Sequence, residues 1–422
     1  MHTLDQLTSG ALAGAVHLKL ACGLTEFPRE IFGLADTLEI LDLSGNALSA
    51  LPDDLPRLNK LRILFCSANQ FTVLPAILGA CPQLTMIGFK SNRIAEVPAS
   101  ALPEGLRWLI LTDNRIAELP ATLGRCGQLQ KLMLAGNRLT ALPAALADCG
   151  KLELLRIAAN RLTALPGWLL TMPRLAWLAY AGNPFCAALV THADSIAWDR
   201  LRVGRQLGEG ASGVICQAAL PPVGAVAVKL FKGAITSDGL PRCELDACMH
   251  AGVHPNLIPV LGEVTGHPDG VHGCVMALID PAFVNLAGPP SMDSCTRDVY
   301  ADDQRFSLEA MLRVAGGIAA AAQHLHRRGL LHGDLYAHNI LHTPAGAALL
   351  GDFGAASHCA GLDAAALQRL EVRAFGLLLG ELIARCDGGA GALNRLARLV
   401  EACTDSLPAR RPLFDEIVRQ LD

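Results

Sequence analysis

The sequence predicts an α/β multidomain chain: a strand-bearing repeat solenoid followed by a separate domain of strands and helices. Three observations predict it. A segment of the form L-x-x-x-x-N recurs every 22–23 residues through the first half. That period stops after Phe185. The second half then sets out a glycine-rich turn, a lysine in an apolar run, and two aspartates flanking an asparagine, in that order. At 422 residues the chain is also too long for one ordinary domain.

Bulk composition narrows the classes. Hydrophobic residues make up 51% and charged residues 18%, which suits a chain with a sizeable core rather than a disordered one. The net charge of −4 is spread out, with no basic, aromatic-interleaved patch, so nucleic acid is excluded as the expected partner. The N-terminus lacks the basic stretch and apolar core of a signal peptide, and no uncharged apolar run reaches the ~18–20 residues of a membrane span. The expectation is a cytoplasmic chain with reduced cysteines. No two of the 14 cysteines are spaced C-x-x-C, and Cys81, Cys126 and Cys149 share one repeat position that Leu58 and Met172 fill elsewhere.

In chain order, residues 1–15 read as an N-terminal cap, and residues 16–185 as about eight repeats of 22–23 residues. The repeat asparagines are Asn46, Asn69, Asn92, Asn114, Asn137, Asn160 and Asn183. In the first six units a proline follows the asparagine by six residues, from Pro52 to Pro166, and an irregular earlier unit runs from Leu18 to Pro28. One unit cannot bury its own apolar face, so stacking makes the core, and the asparagine amides can bond adjacent turns as a ladder. These units resemble the leucine-rich-repeat family. Alternation along each strand turns the positions six, four and two before each asparagine to the concave face. Phe65, Met86, Trp108, Ile110, Met133 and Trp177 fall there, with Ile63, and form an expected apolar patch that binds a protein or peptide partner or docks the second domain.

Residues 186–199 read as a short junction without the Gly/Ser richness of a floppy tether. Beyond it, Gly208, Gly210 and Gly213 sit in L-G-E-G-A-S-G-V-I, and V-A-V-K ends at Lys229. Glycines let backbone amides approach phosphates, and a lysine on the next strand can reach them. Glu244 can fall on a following helix to pair with Lys229, with Asp246 as its competitor. Asp334 precedes Asn339 by five residues, and Asp352 opens a D-F-G triplet. One carboxylate can take a proton from an attacking hydroxyl, and the amide and second carboxylate can hold Mg²⁺.

Taken together, residues 200–422 resemble the protein-kinase family. The resemblance implies a two-lobed α+β domain with ATP in the cleft. It implies Asp334 as catalytic base, Lys229 on the phosphates, Glu244 on Lys229, and Asn339 and Asp352 on Mg²⁺. It places the nucleotide against Leu207, Gly208, Glu209, Gly210, Ala211, Ser212, Gly213, Val214 and Ile215, with Met276 as gatekeeper and Leu278 in the hinge Ala277–Ile279. It likens Glu371 onward to the central helix of the large lobe, and Pro408, Arg411 and Pro412 to the C-terminal signature.

Departures from that pattern concern substrate handling. Gly333 replaces an arginine, which removes the usual receiver of an activation-loop phosphate. Tyr336 stands where Ser/Thr kinases carry a lysine for the γ-phosphate. Only 16 residues separate Gly354 from Glu371, with no A-P-E triplet among them. Glu371 replaces an aspartate at the helix head, and Arg411 has lost its usual glutamate, for which Glu371 is one candidate. The segment 281–305 reads as a long loop, and one of its acids, Asp293 among them, is expected to reach the ribose. His332 fits a backbone brace, whereas His324, His326, His338 and His342 fit helix or loop surfaces rather than a metal site. The expected function is an ATP- and Mg²⁺-dependent protein kinase, Ser/Thr-directed, recruiting protein through its repeats. A nucleotide-binding pseudokinase scaffold and a small-molecule kinase are the alternatives. The Ala-rich composition and this pairing of repeats and catalytic parts resemble bacterial chains.

Overall fold

The computed structural model describes residues 2–186, 194–210, 212–361, 363–388 and 390–421. The chain divides into two compact units. One holds Met1–Leu155, Ala159–Leu169 and Asn183–Phe185; the other holds Arg156–Ala158, Leu170–Gly182 and Cys186–Asp422. The repeat period ends near Phe185, but residues 156–158 and 170–182 pack with the second unit rather than the first.

The first unit opens on helix α1 (Leu4–Thr8), closed by a capping box between Thr3 and Gln6, with Leu7 buried. Three-residue strands follow: β1 (His17–Lys19), β2 (Ile40–Asp42), β3 (Ile63–Phe65), β4 (Met86–Gly88), β5 (Trp108–Ile110), β6 (Lys131–Met133) and β7 (Leu154–Arg156). Strands β1 to β6 pair in parallel in chain order, Ile40 on Ile63 and Met86 on Trp108. Most repeats then turn through a short 3₁₀ segment whose preceding residue is the repeat proline: Pro75, Pro98, Pro120 and Pro143. The fixed φ of proline suits that entry, because the ring removes only an N–H that would have no helical partner.

The asparagine ladder holds the turns. Asn137 Oδ1 accepts the Ile116 N–H at 3.0 Å, and its Nδ2 donates to the Leu111 and Leu134 carbonyls, both at 2.9 Å. Cys81, Cys126 and Cys149 are buried thiols. Burial pushes them up to about 11, 11 and 12, which keeps them protonated and inert.

The strand-face patch is smaller than expected. Ile63 and Met86 are buried, and a Cβ on Gly88 would meet the Phe65 ring at 2.5 Å, so that ring lies across the glycine. Trp108 donates to Met133 Sδ at 3.4 Å and lies under Lys131 Nζ at 4.5 Å. Phe65, Trp108, Ile110 and Met133 are half-buried by these lateral contacts.

In the second unit, β8 (Trp177–Ala179) is buried throughout. A six-stranded sheet follows, built from β9 (Ser195–Ala197), β10 (Arg202–Glu209), β11 (Gly213–Leu220), β12 (Gly224–Phe231), β13 (Val260–Thr265) and β14 (Gly273–Ala277). Its order is β10-β11-β12-β14-β13-β9. The end of the expected junction is therefore a strand, because β9 pairs in parallel with β13. Helix α2 (Pro241–Ala251) starts with proline in its first turn and stops at Gly252, whose φ of +68° suits a residue without a Cβ.

The helical part holds α3 (Leu308–Arg327), α4 (Ala364–Ile383), α5 (Ala390–Cys403) and α6 (Phe414–Leu421). Ser307 caps α3, accepting the Ala310 N–H, and Met311, Val314, Ile318 and Leu325 form its buried stripe. Among the described residues no helix is long and apolar enough to cross a membrane. Helix α4 begins earlier than the sequence suggested. Asp363 caps it, so Glu371 lies about two turns inside the helix rather than at its head.

Candidate active site

The glycine-rich turn joins β10 to β11, and the Gly210 N–H donates to the Gly213 carbonyl at 2.9 Å. Nothing lies within 4 Å of a Cβ built on Gly208 or Gly210, whereas one on Gly213 would meet the Leu230 carbonyl at 2.5 Å. The first two leave open backbone for a ligand, and the third lets β12 come close. Leu207 is exposed, Glu209 pairs with Lys232, and Ser212 accepts the Lys232 N–H at 3.0 Å. Ala211 lies outside the described residues. Ile215, Lys229, Glu244, Met276 and Asp352 line one cavity; Val214 lies beside it on β11, and Leu278 is half-buried just past β14.

Lys229 on β12 meets Glu244 on α2 and lies 3.7 Å from Asp352. Asp246 instead pairs with Arg242 at 2.9 Å, which leaves Glu244 as the partner of Lys229. Burial works against the lysine charge, but Asp352 and Glu244 outweigh it and hold Lys229 charged. Burial pushes Glu244 up to about 7 against the pull of Lys229. Its Oε2 is buried without a hydrogen-bond partner. Asp352 has φ +54°, a left-handed conformation rare for a residue with a side chain and typical of functional sites.

The stretch Leu331–Asn339 is held mostly by bonds that involve main-chain groups. His332 bonds the Gly351 carbonyl at 2.8 Å and accepts the Asp334 N–H at 3.3 Å. Asn339 Nδ2 donates to Asp334 Oδ2 at 2.8 Å and to its carbonyl at 2.9 Å. Glu371 Oε1 accepts the Gly333 N–H at 2.6 Å, and its Oε2 bonds His326 at 2.7 Å. Burial raises the Glu371 carboxyl, but these bonds outweigh it and hold it below its usual value.

Several expectations are corrected here. His326 is a buried partner of Glu371, not a surface residue, and His342 is buried too. Arg411 does not use Glu371. It donates to the carbonyls of Pro173 (2.7 Å), Asp405 (2.9 Å) and Arg369 (3.1 Å), and desolvation pushes it down to about 10. Asp298 bonds His338 at 2.7 Å. Trp177 does not face solvent. It stacks on Tyr336 with centroids 4.0 Å apart, and its N–H donates to the Leu335 carbonyl at 3.1 Å. Tyr336 is buried in that stack, and its hydroxyl has no hydrogen-bond partner.

Gly333 has a structural reason. Its φ is +73°, and a Cβ there would meet the Ala355 carbonyl at 2.4 Å and the Leu178 carbonyl at 2.9 Å. Next to it stands Arg156, to which the sequence reading gave no role. Arg156 donates to Asp334 Oδ1, to the Gly333 carbonyl at 3.0 Å and to Asp238 at 2.6 Å. Burial raises the Asp334 carboxyl, but Arg156, His338, His332 and the Asn339 bond together more than reverse this, so it stays below its usual value. The available signal was a lone arginine among Leu154, Ala158 and other small or apolar strand-face positions.

Asp352 and Asn339 offer hard oxygen donors suited to Mg²⁺. Asp352 is about half exposed at 47%, and the Asn339 nitrogen is spent on Asp334, which leaves the amide oxygen. Among the described residues no group of three or more His, Cys, Asp or Glu could hold a metal by itself. Two protein donors fit a cation that completes its shell with water and phosphate.

Comparison with known proteins agrees with this geometry. Residues 201–373 match the family described as protein tyrosine and serine/threonine kinase. Residues 104–162 and 37–58 match leucine-rich-repeat families. Fibroblast growth factor receptor 1 of Xenopus laevis is 25% identical over 54% of this chain and 35% of that protein. The receptor of the same name from Pleurodeles waltl is 24% identical over 53% of this chain and 34% of its own length. The chain thus spans about a third of the length of the curated relatives it matches.

Proposed function

We propose, from the premise that this chain joins N-terminal leucine-rich repeats to a C-terminal protein-kinase domain, that it transfers the γ-phosphoryl group of Mg·ATP to a Ser or Thr hydroxyl of a protein. The observation that carries this reading is the Lys229–Glu244 pair with Asp352 3.7 Å from the same ammonium. That lysine is fixed, charged and lines a cavity shared with Ile215, Met276 and Asp352. It can bind phosphate oxygens while Glu244 keeps it in place. The open backbone of Gly208 and Gly210 can cover the phosphates. Mg²⁺, when bound, neutralises phosphate charge, and Asp352 and Asn339 would hold it. Asp334, oriented by Asn339, takes the proton of the acceptor hydroxyl. On the first unit, the half-buried Phe65, Trp108, Ile110 and Met133 support a protein- or peptide-binding face, from which Met86 and Trp177 are withdrawn.

Incubating the full chain with γ-labelled ATP, Mg²⁺ and a mixed protein acceptor tests the reading. Label should enter Ser or Thr and vanish in Asp334→Asn. Equal labelling by both proteins, or none by either, rejects it in favour of a nucleotide-binding scaffold. Phosphotyrosine alone would replace the acceptor class.

A further inference from the structure

We infer that Arg156 is a positioning residue of the phosphoryl-transfer site: its guanidinium fixes the Asp334 carboxylate and supplies the cation that the catalytic loop lacks. The inference rests on the reading of Asp334 as the base. The stretch Leu331–Asn339 contains no Lys or Arg. Two places within it where a cation could stand are closed. Position 333 has no room for a side chain, and Tyr336 is committed to its stack with Trp177.

The guanidinium takes up the task from outside the loop. One fork of N–H groups engages Asp334 Oδ1, the Gly333 carbonyl at 3.0 Å and Asp238 Oδ1 at 2.6 Å. Asp238 lies between β12 and α2, the elements that carry Lys229 and Glu244. Arg156 therefore ties the catalytic loop to the segment that follows the phosphate-binding lysine. Asn339 holds the other carboxylate oxygen at 2.8 Å, so both oxygens of Asp334 are fixed and the carboxylate plane is set. A planar fork suits this three-way task; a lysine ammonium, a point charge on a flexible stem, reproduces it in part.

Exposure separates positioning from blockade. The Arg156 side chain is 2% exposed and that of Asp334 is 17% exposed. The cation is sealed behind the base, and the base keeps an open side for an acceptor. A plug over the active site would show the reverse. The burial also explains the two acids, since a buried guanidinium without partners would carry an uncompensated charge.

The test uses the full chain with Arg156→Met, Arg156→Lys and Asp334→Asn. Two readouts are taken: Mg·ATP turnover with its KM, and hydrogen exchange of peptides covering residues 331–340. Arg156→Met should cut turnover by about 100-fold while KM for ATP stays within about twofold, because the lost contact acts on the base and not on nucleotide binding. Exchange should rise in 331–340 and stay unchanged in the β11–β12 hairpin. Arg156→Lys should fall between Met and wild type in both readouts. Should the Met variant loosen the whole second unit, the Lys variant decides alone: intermediate values support the inference and wild-type values overturn it. If wild type turns over no faster than Asp334→Asn, the kinase reading fails, and the exchange result still decides whether Arg156 anchors the loop. Turnover by Arg156→Met equal to or above wild type, or unchanged exchange at 331–340, overturns the inference.

Discussion

On the side proposed to hold nucleotide, Lys229 and Glu244 meet across 15 residues of sequence, and Asp352 completes the group. On the side proposed to take the acceptor, Asp334 receives a guanidinium from 178 residues away, and the Leu335 carbonyl takes an indole N–H from 158 residues away. In the first group a short connection between a strand and its following helix brings Lys229 and Glu244 together, and only Asp352 arrives from farther along the chain. The second depends on residues that the repeat period placed on strands. The difference teaches where this chain departs from its resemblance. Parts proposed to bind phosphate are constrained by the fixed geometry of that group and are recognisable in sequence. The acceptor side has a short segment after Gly354, and it gains its bracing from Arg156, Trp177 and Tyr180. Tyr180 donates to Ser357 Oγ at 3.0 Å and to the His358 carbonyl at 3.1 Å.

The largest expected effect is chemical. Asp334→Asn should lower turnover by about 10²–10⁴-fold, the usual worth of a general base, as measured by initial rates with labelled ATP. Trp177→Ala removes a side chain only 2% exposed and the indole bond to Leu335. It should cost about 3–5 kcal/mol in urea unfolding. An effect near zero would show that the acceptor side does not rely on that stack. Gly333→Ala forces a Cβ into a φ of +73° and against the Ala355 carbonyl. It should cost at least about 2 kcal/mol by the same measurement, from left-handed strain plus the clash.

The smallest effect is a pH dependence. The Glu371 carboxyl is held below its usual 4.5, with burial opposing and the His326 bond and main chain prevailing. A depressed folded value gives stability that is present above the usual value and lost as pH falls through the depressed one. The stability gap between wild type and Glu371→Gln should therefore be widest at neutral pH and should narrow below about pH 4.5. A gap that widens in acid would contradict the assignment.

Much of this was legible in the sequence, for reasons that differ by region. The repeat fold could be read because each unit repeats the same leucines and asparagine, and Asn137 performs the ladder role that its position implied. The Lys229–Glu244 pair could be read because the two lie on adjacent elements. Alternation along a strand told which way Met86 and Trp177 point but not what covers them. Their burial comes from neighbours that the period does not specify. Glu371 was read as a candidate for Arg411 because charge suggested it. Three backbone carbonyls satisfy the arginine instead, and carbonyls carry no sequence signal. Arg156 was passed over because its partners lie in another part of the chain, so no local spacing could reveal them.

The division of the cleft into a nucleotide side and an acceptor side is tested most directly by calorimetric titration of Mg·ATP into wild type, Lys229→Met and Asp334→Asn. The account predicts that Asp334→Asn binds about as tightly as wild type, while Lys229→Met loses at least about tenfold in affinity, the worth of one charge-assisted phosphate contact. Equal binding by all three proteins, or lost binding in Asp334→Asn with binding kept in Lys229→Met, would contradict it.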